Sequence, residues 1–178
     1  NSLERVMNGN IYIESRMMLE AYVSGGCSER SFYALNDVVI ARGTLSRIIA
    51  VDVYINDRYA GSLSGDGLIV STPTGSTAYS LSAGGPIISP DISAITLTPI
   101  CPHSLFNRSS LIVSGNELIK VEIVENIGDT YLTVDGQQGC KIESGKYVYV
   151  RKAPYKTKLI KFDNRNFYDV LREKLTER

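Results

Sequence analysis

The chain has 178 residues, of which 43% are hydrophobic, and its 19 basic and 19 acidic side chains cancel to a formal net charge of zero. This length is sufficient for one domain with a substantial core. Nucleic acid is not an expected partner, because binding to a phosphate backbone normally needs a basic face. No apolar stretch approaches the roughly 18 residues of a membrane span, so no membrane contact is expected either.

The cysteines and the start of the chain indicate where the protein works. Cys27, Cys101 and Cys140 lie far apart without a Cys-x-x-Cys pair, and no signal-peptide pattern opens the chain. This pattern is typical of a reduced, cytoplasmic protein. The first residue is Asn1, not methionine, and a strand-forming segment follows shortly. We therefore expect the chain to be a piece of a longer protein.

Hydrophobic periodicity predicts short strands and few helices. Apolar residues alternate with polar ones in several segments, which is the pattern of a half-buried strand. The predicted elements in chain order are a helix from Ser2 to Gly9, a strand around Ile49, Val51, Val53 and Ile55, a helix from Thr77 to Ala83, strands around Val121 and Ile123 and around Val148 and Val150, and a helix from Asn166 to Leu175.

Turn signals separate these elements at short intervals. They are Gly25-Gly26, Asn56-Asp57, residues 126–129, Asp135-Gly136 and Ser144-Gly145. Many short strands with regular turns predict a mainly β fold, a β-sandwich-like domain with two or three short helices. A basic cluster from Arg151 to Lys161 is interpreted as the solvated side of strands, with a functional patch as the alternative.

The richest chemistry lies between Asp66 and Pro86, here called the central segment. An apolar run ending at Val70 leads into a Pro-Thr-Gly turn and then into a short helix-competent stretch. Such a turn can leave backbone N–H groups pointing outward. Hydroxyl side chains surround it: Ser71, Thr72, Thr74, Ser76, Thr77, Ser80 and Ser82. A polar, flat ligand such as a nucleotide is the functional interpretation, and simple capping of the helix is the alternative.

Other motifs are weaker alone. The central segment is neither a Walker A loop nor a Gly-x-Ser-x-Gly nucleophile elbow. Asn36-Asp37 is either a turn before a strand or an amide and carboxylate that together hold a ribose diol. Asp66 and Asp135 each precede glycine, which is a hairpin signal. His103, the single histidine, has no cysteine or carboxylate beside it at metal-ligand spacing, so a metal role is not expected. A hydrolase would pair it with Ser104 or Ser76, but nothing marks either serine as a nucleophile, so a catalytic role is not expected either.

Taken together, these motifs resemble the NAD kinase family. They are Asn36-Asp37, the stretch from Asp66 through Thr-Pro-Thr-Gly-Ser-Thr-Ala-Tyr to Ser82, the run Leu97-Thr-Pro-Ile-Cys-Pro-His103, and Asp135-Gly136-Gln137. Their order and spacing match that family, and the resemblance covers essentially the whole chain from about Leu3 onward.

The resemblance implies a fold, a reaction and partners. Residues 1–178 are similar to the family's C-terminal β-rich NAD-binding domain, and the family also has an N-terminal α/β domain. The implied reaction transfers the γ-phosphoryl group of ATP, or polyphosphate, to the 2′-hydroxyl of the adenosine ribose of NAD and gives NADP. A divalent metal, most simply Mg²⁺, and a homodimer or homotetramer are implied as well.

The resemblance also implies site residues. Asn36 and Asp37 are similar to the pair that grips adenosine and ribose, and Asp66 to the carboxylate at the nicotinamide end. Tyr79 is expected to stack on a ring. The full set of residues implied to bind NAD is Asn36, Asp37, Arg47, Asp66, Thr74, Thr77, Ala78, Tyr79, Ser80, Leu81, Ser82 and Gln137.

The chain departs from the family pattern in two ways. Many members carry a basic residue two positions before the central aspartate, where this chain has Ser64. The family's Gly-Gly-Asp-Gly motif belongs to the N-terminal domain, so no catalytic residue and no metal ligand is assigned to this chain, and it is expected to be inactive alone. One alternative is a non-catalytic NAD(H)-binding regulatory module. The other is a lipid kinase, but a lipid acceptor has no use for a segment of the dinucleotide-binding type.

Overall fold

Two antiparallel six-stranded sheets account for most of the described chain. The computed structural model describes residues 2–25, 31–44, 48–103, 108–126, 128–162 and 166–176. Sheet A contains, in spatial order, β2 (Phe32–Ala34), β1 (Tyr12–Val23), β12 (Tyr147–Lys161), β9 (Ile119–Asn126), β4 (Ile49–Ile55) and β5 (Arg58–Gly65). Sheet B contains β11 (Gln138–Ile142), β10 (Thr130–Val134), β3 (Asp37–Arg42), β6 (Gly67–Ser71), β7 (Ala94–Ile100) and β8 (Leu111–Ser114).

The main core lies between the two sheets. In β4, Ile49, Val51 and Val53 are buried and the residues between them are partly exposed, as the period-2 pattern predicts. The inner faces of both sheets meet in one apolar cluster that includes Leu19, Ile40 and Leu132. The mainly β, sandwich-like fold expected from the sequence is therefore confirmed.

The described helices are short and lie where the sequence places them. They are α1 (Ser2–Met7), a 3₁₀ turn (Gly75–Thr77) continued by α2 (Tyr79–Ser82), and α3 (Phe167–Thr176). Asn166 caps α3, because its side-chain oxygen accepts a hydrogen bond of 2.9 Å from the backbone N–H of Asp169. Where the sequence predicts one helix from Thr77 to Ala83, the structure has the end of the 3₁₀ turn that starts at Gly75, followed by α2 from Tyr79.

A second, smaller apolar cluster supports the central segment. It consists of Val39, Ile69 and Ile100, with Ala41 and Ala83 packed against it. These strand residues alternate with Val38, Ile40 and Leu68 of the main core, so they lie on the outer face of sheet B. Ala83 follows α2 directly, so the end of the central segment packs on the outer face of sheet B.

One expectation about the cysteines is wrong. Cys140 is disulfide-bonded, whereas a reduced state was expected. Cys101 is exposed and carries a free thiol, and Cys27 lies outside the described residues. The spacing of cysteines in a sequence does not show which distant residues the fold brings together.

Within the described residues, no helix has the length and apolar character needed to cross a membrane.

Candidate functional site

The carboxylate of Asp135 holds the Asn36-Asp37 segment in place. One carboxylate oxygen accepts hydrogen bonds from the backbone N–H groups of Asn36 (2.8 Å) and Asp37 (3.1 Å). The other oxygen accepts one from the N–H of Leu35 at 2.8 Å. Asp135 also has a positive φ of 48° and starts the turn between β10 and β11. The Asp-Gly pair is thus both a hairpin turn and a cap on the strand start that carries Asn36.

The loop from Thr72 to Ala78 is locked onto the same segment. The Thr72 hydroxyl donates to the carbonyl of Leu35 at 2.6 Å, and the Thr72 N–H donates to the carbonyl of Asn36 at 2.9 Å. Gly75 packs so closely that an added Cβ would lie 2.0 Å from the Asn36 carbonyl oxygen. Only glycine fits at this position, and it lets two chain segments 39 residues apart touch through their backbones.

Several hydroxyls of the central segment are buried and form hydrogen bonds within the fold. Ser76 is fully buried, donates to the carbonyl of Pro73 at 2.6 Å and accepts from the N–H of Ile88 at 3.0 Å. The hydroxyls of buried Ser80 and Thr98 share a hydrogen bond of 2.9 Å. The hydroxyl-lined surface expected from the sequence is therefore smaller, because buried hydroxyls need internal partners.

The sequence predicts several outward-pointing backbone N–H groups in the turn, and for three of them this prediction is wrong. The N–H of Gly75 donates to the Thr72 hydroxyl at 3.0 Å, and the N–H of Ser76 donates to the Thr72 carbonyl at 3.0 Å. The N–H of Ala78 donates to the carbonyl of Gly75 at 2.9 Å. The turn thus satisfies these groups within itself, as buried backbone normally must be.

Two clefts flank Tyr79 on the outer face of sheet B. One, of about 390 Å³, is lined by Asn36, Asp37, Val39, Ala78, Tyr79, Thr133, Asp135 and Gly136. The other, of about 380 Å³, is lined by Ala41, Arg42, Gly43, Thr44, Asp66, Tyr79 and Ile100. The Tyr79 side chain is 47% exposed and belongs to both linings. Its ring is accessible between two recesses, a mainly apolar one and a more polar one, which suits a ligand with two flat parts.

The two clefts differ in their electrostatics. In the first, burial and the neighbouring charge of Asp135 raise the pKa of Asp37 to about 6. In the second, Arg42 donates through Nε to the Asp66 carboxylate at 2.6 Å and thereby holds the pKa of Asp66 below its ordinary value. One cleft therefore contains a carboxyl group that changes charge near neutral pH, and the other contains a fixed ion pair.

The structure places five of the twelve predicted site residues in the linings of these two clefts. Asn36, Asp37, Ala78 and Tyr79 line the first cleft, and Asp66 lines the second. The remaining predicted residues are distributed around them. Thr77 and Ser82 are exposed, Thr74 and Leu81 are partly exposed, Ser80 is buried, Gln137 is exposed in the turn after Gly136, and Arg47 lies outside the described residues.

Sequence reasoning missed three residues of this region. Arg42, at the end of β3, pairs with Asp66, and Asp135 caps the Asn36-Asp37 segment. Arg16 of β1 reaches the loop through the Thr74 hydroxyl at 3.3 Å. For Arg42, a usable signal existed: it ends the strand that begins at Asp37, and β3 pairs with β6 beside Asp66. No local pattern marks Arg16.

Comparisons with known proteins identify similar sequences. A family model described as the ATP-NAD kinase C-terminal domain matches residues 35–162. The NAD kinase of Caldanaerobacter subterraneus subsp. tengcongensis is 52% identical over 178 residues, which are 99% of this chain and 62% of that protein. The NAD kinase of Clostridium perfringens is 45% identical over 175 residues, which are 98% of this chain and 62% of that protein.

Solved structures share the fold. A crystal structure of yeast NADH kinase in complex with NADH superimposes with a TM-score of 0.87 at 31% identity, covering 98% of this chain and 52% of the yeast protein. An NAD kinase from Archaeoglobus fulgidus, solved with ATP, has a TM-score of 0.79 at 23% identity, covering 99% of this chain and 65% of that protein, which shows a shared fold. This chain spans about three fifths of the length of the curated relatives it matches.

Proposed function

The chain belongs to the family of ATP-NAD kinase C-terminal domains, and from this membership we propose that it is the NAD-binding part of an NAD kinase. The proposed enzyme transfers the γ-phosphoryl group of ATP, or a phosphoryl group of polyphosphate, to the 2′-hydroxyl of the adenosine ribose of NAD. The observation that carries this proposal is the pair of clefts that share the accessible ring of Tyr79, each with at least one carboxylate side chain in its lining. Two clefts on either side of one aromatic ring correspond in number to the two nucleoside ends of a dinucleotide.

We assign the first cleft to adenosine and its ribose. The support is the rigid placement of Asn36 and Asp37, whose backbones are held by Asp135. A side-chain amide can pair with the edge of a base, and a carboxylate accepts from ribose hydroxyls. The proposed assignment also places Thr77, Ala78 and Gln137 around this cleft. It adds Thr74, which precedes Thr77 in the loop, and Leu81 and Ser82, which follow in α2.

We assign the second cleft to the nicotinamide end. Asp66 is the proposed acceptor for the carboxamide N–H₂ group, and the guanidinium of Arg42 keeps this carboxylate ionised. Tyr79 between the clefts offers its half-exposed ring for stacking. The proposed role of Ser80 is to anchor α2 through Thr98.

In this proposal the chain positions the acceptor and another domain performs the transfer. Phosphoryl transfer depends on alignment of the attacking oxygen and on neutralisation of the phosphate charge. Within the described residues there is no cluster of three or more His, Cys, Asp or Glu side chains that could hold a metal ion, so we assign no metal ligand to them. We propose that the divalent metal and the phosphoryl donor bind mainly to an N-terminal domain, in a cytoplasmic homodimer or homotetramer.

The test is an assay of the full-length protein that carries this chain. We expect NADP to form from NAD with Mg-ATP or with polyphosphate, and Tyr79→Ala to raise the KM for NAD while leaving the KM for the donor unchanged. Absence of turnover with every donor, together with NAD binding in calorimetry, would instead favour a non-catalytic NAD(H)-binding module. Absence of both would refute the proposed site.

A further inference from the structure

Arg16 of β1 connects sheet A with the loop on the outer face of sheet B. Its Nη1 donates to the Thr74 hydroxyl at 3.3 Å, and its Nη2 forms an ion pair of 2.8 Å with Glu14. The side chain is 15% exposed. The other polar contacts described above for the loop come from neighbouring segments of sheet B and its own turns, so this contact ties it to the opposite layer.

The ion pair is part of an ordered arm. The first residues of β1 pair with the last residues of β12, and this paired end, Tyr12–Arg16 with Thr157–Lys161, is here called the arm. The second carboxylate oxygen of Glu14 pairs with Lys161 at 3.0 Å. Glu14 is thus held from both sides, and it in turn orients the guanidinium of Arg16 toward the loop.

The Thr74 hydroxyl is free to accept this contact because it does not cap the turn that follows. Thr74 stands at the position before the 3₁₀ turn, where a threonine commonly accepts a hydrogen bond from a backbone N–H of the first turn. Its own backbone is already helical (φ −62°, ψ −46°), and it makes no side-chain cap bond. The hydroxyl is directed to Arg16 instead.

Arginine has a geometry that suits this junction. Its planar fork can point one amino group at a carboxylate and the other at a hydroxyl, whereas a lysine ammonium is a single point donor. The Nε of Arg16 is buried and has no hydrogen-bond partner among the described residues. Burying a donor without a partner costs free energy, so packing of the arm alone gives no reason for this residue.

We propose that Arg16 is a positioning residue for the acceptor site: it sets the start of the Thr74–Tyr79 stretch through the Thr74 hydroxyl, and so sets the affinity for the dinucleotide. This inference rests on the proposed NAD-binding function. Arg16 acts through Thr74 and does not touch the substrate. Because Glu14 and Lys161 orient the guanidinium, the arm controls the loop from a different sheet.

The first test is steady-state kinetics of the full-length protein with Arg16→Gln and Arg16→Lys. We expect Arg16→Gln to raise the KM for NAD about five- to twentyfold, the scale of one charge-assisted hydrogen bond, with the KM for the donor unchanged. Arg16→Lys should recover part of this loss. The matched control is Arg151→Gln, because Arg151 also pairs with a glutamate of β1 at 2.8 Å but none of its described contacts reaches the loop.

A double-mutant cycle with Thr74 tests the route of the effect. Thr74→Val keeps the side-chain shape and removes the hydroxyl, and Thr74→Ser keeps the hydroxyl. We expect Thr74→Val to match Arg16→Gln, Thr74→Ser to remain close to wild type, and the double variant to be no weaker than the weaker single variant. Additive effects, or a change in the donor KM in Arg16→Gln alone, would overturn the inference and indicate a direct phosphate contact.

Hydrogen exchange separates this inference from the proposed function. Amides of residues 72–79 should exchange faster in Arg16→Gln and Thr74→Val than in wild type or Arg151→Gln, whether or not NAD is the substrate. If the wild type shows no NAD turnover, the proposed function fails, and unchanged exchange in both variants would refute the positioning role independently. If Arg16→Gln does not fold, Thr74→Val and Arg16→Lys still carry the test.

Discussion

The carboxylate of Asp135 accepts a hydrogen bond from the backbone N–H of Asn36 at 2.8 Å, across 99 positions of the chain. The same carboxylate accepts from the N–H groups of Leu35 and Asp37. A single side chain in a hairpin turn therefore fixes the strand start that presents the two proposed adenosine ligands. This relationship makes Asp135 a structural part of the site, although its sequence context shows only a turn.

Replacing Asp135 by asparagine tests this role. Asparagine retains the turn conformation but has one acceptor oxygen and an N–H₂ group that faces backbone donors. We expect Asp135→Asn to lower the free energy of unfolding by about 1–3 kcal/mol, as for a lost set of partly buried hydrogen bonds, and to weaken NAD binding. Urea unfolding and calorimetry measure the two effects.

The control for this change is Asp57→Asn. Asp57 also has a positive φ, of 62°, in the hairpin between β4 and β5, and it is exposed. Its replacement should alter the free energy of unfolding by less than about 0.5 kcal/mol, as for most surface substitutions. Equal effects of the two variants would contradict the special role of Asp135.

The raised pKa of Asp37 predicts a pH dependence of stability. Burial, aided by the charge of Asp135, raises this pKa from 3.8 to about 6, so the folded protein holds a proton that the unfolded chain has already released. The corresponding stabilisation is complete below pH 3.8 and is lost as the pH rises through about 6. Asp37→Asn should remove this slope in unfolding experiments between these pH values.

The pH dependence of stability that Asp66 contributes should have the opposite sign to that of Asp37. The guanidinium of Arg42 lowers the pKa of Asp66, so the stabilisation from this group is present above pH 3.8 and is lost as the pH falls through the lower folded-state pKa. Asp66→Asn should therefore cost stability at neutral pH and little at acidic pH. The same sign of slope change in Asp37→Asn and Asp66→Asn would show that one of the two environments is misassigned.

Tyr79 is expected to matter for binding and not for stability. The side chain is 47% exposed, so removing it leaves no cavity in the core. We expect Tyr79→Ala to weaken NAD binding by about 1–3 kcal/mol, the scale of a stacked ring, and Tyr79→Phe to retain most of the affinity. Calorimetry measures both. Tyr155→Ala is the control, since Tyr155 is equally exposed but lies on β12, and a comparable loss there would indicate a nonspecific effect.

Gly75→Ala should damage both fold and site. The new Cβ would lie 2.0 Å from the Asn36 carbonyl oxygen, and a backbone atom there cannot move aside as a flexible side chain can. We expect a loss of about 2–3 kcal/mol in the free energy of unfolding. Gly145→Ala is the comparison, because Gly145 has a φ of 75° and open space around it and should lose only about 1–2 kcal/mol through backbone strain. A larger loss at Gly145 would contradict the contact at Gly75.

The sequence predicted local structure well where periodicity carries it. The alternation from Ile49 to Ile55 predicts a strand with one buried face, and the structure has this strand in sheet A. The same alternation contains no information on its neighbours, β5 and β9, because pairing register depends on residues far along the chain. The disulfide at Cys140 was missed for the same reason.

In the candidate site, too, local sequence features were predictable and long-range contacts were not. The central segment, with Asp66 and Tyr79, is recognisable from its order of residues, and the structure brings both to one surface. Which hydroxyls point inward was not predictable. Ser76 and Ser80 carry the same chemistry as Thr77, but their direction is decided by contacts with Ile88 and Thr98.

By itself, then, the sequence determined the mainly β character of the chain, its membership of the family of ATP-NAD kinase C-terminal domains, and the segment around which the candidate site is built. The tertiary structure alone decided that Asp135 caps Asn36, that Arg42 pairs with Asp66, and that two clefts share Tyr79. The physical reason is the range of the interactions. Strand formation and turns depend on neighbours a few positions away, whereas the direction and charge of a site residue depend on partners brought in by packing.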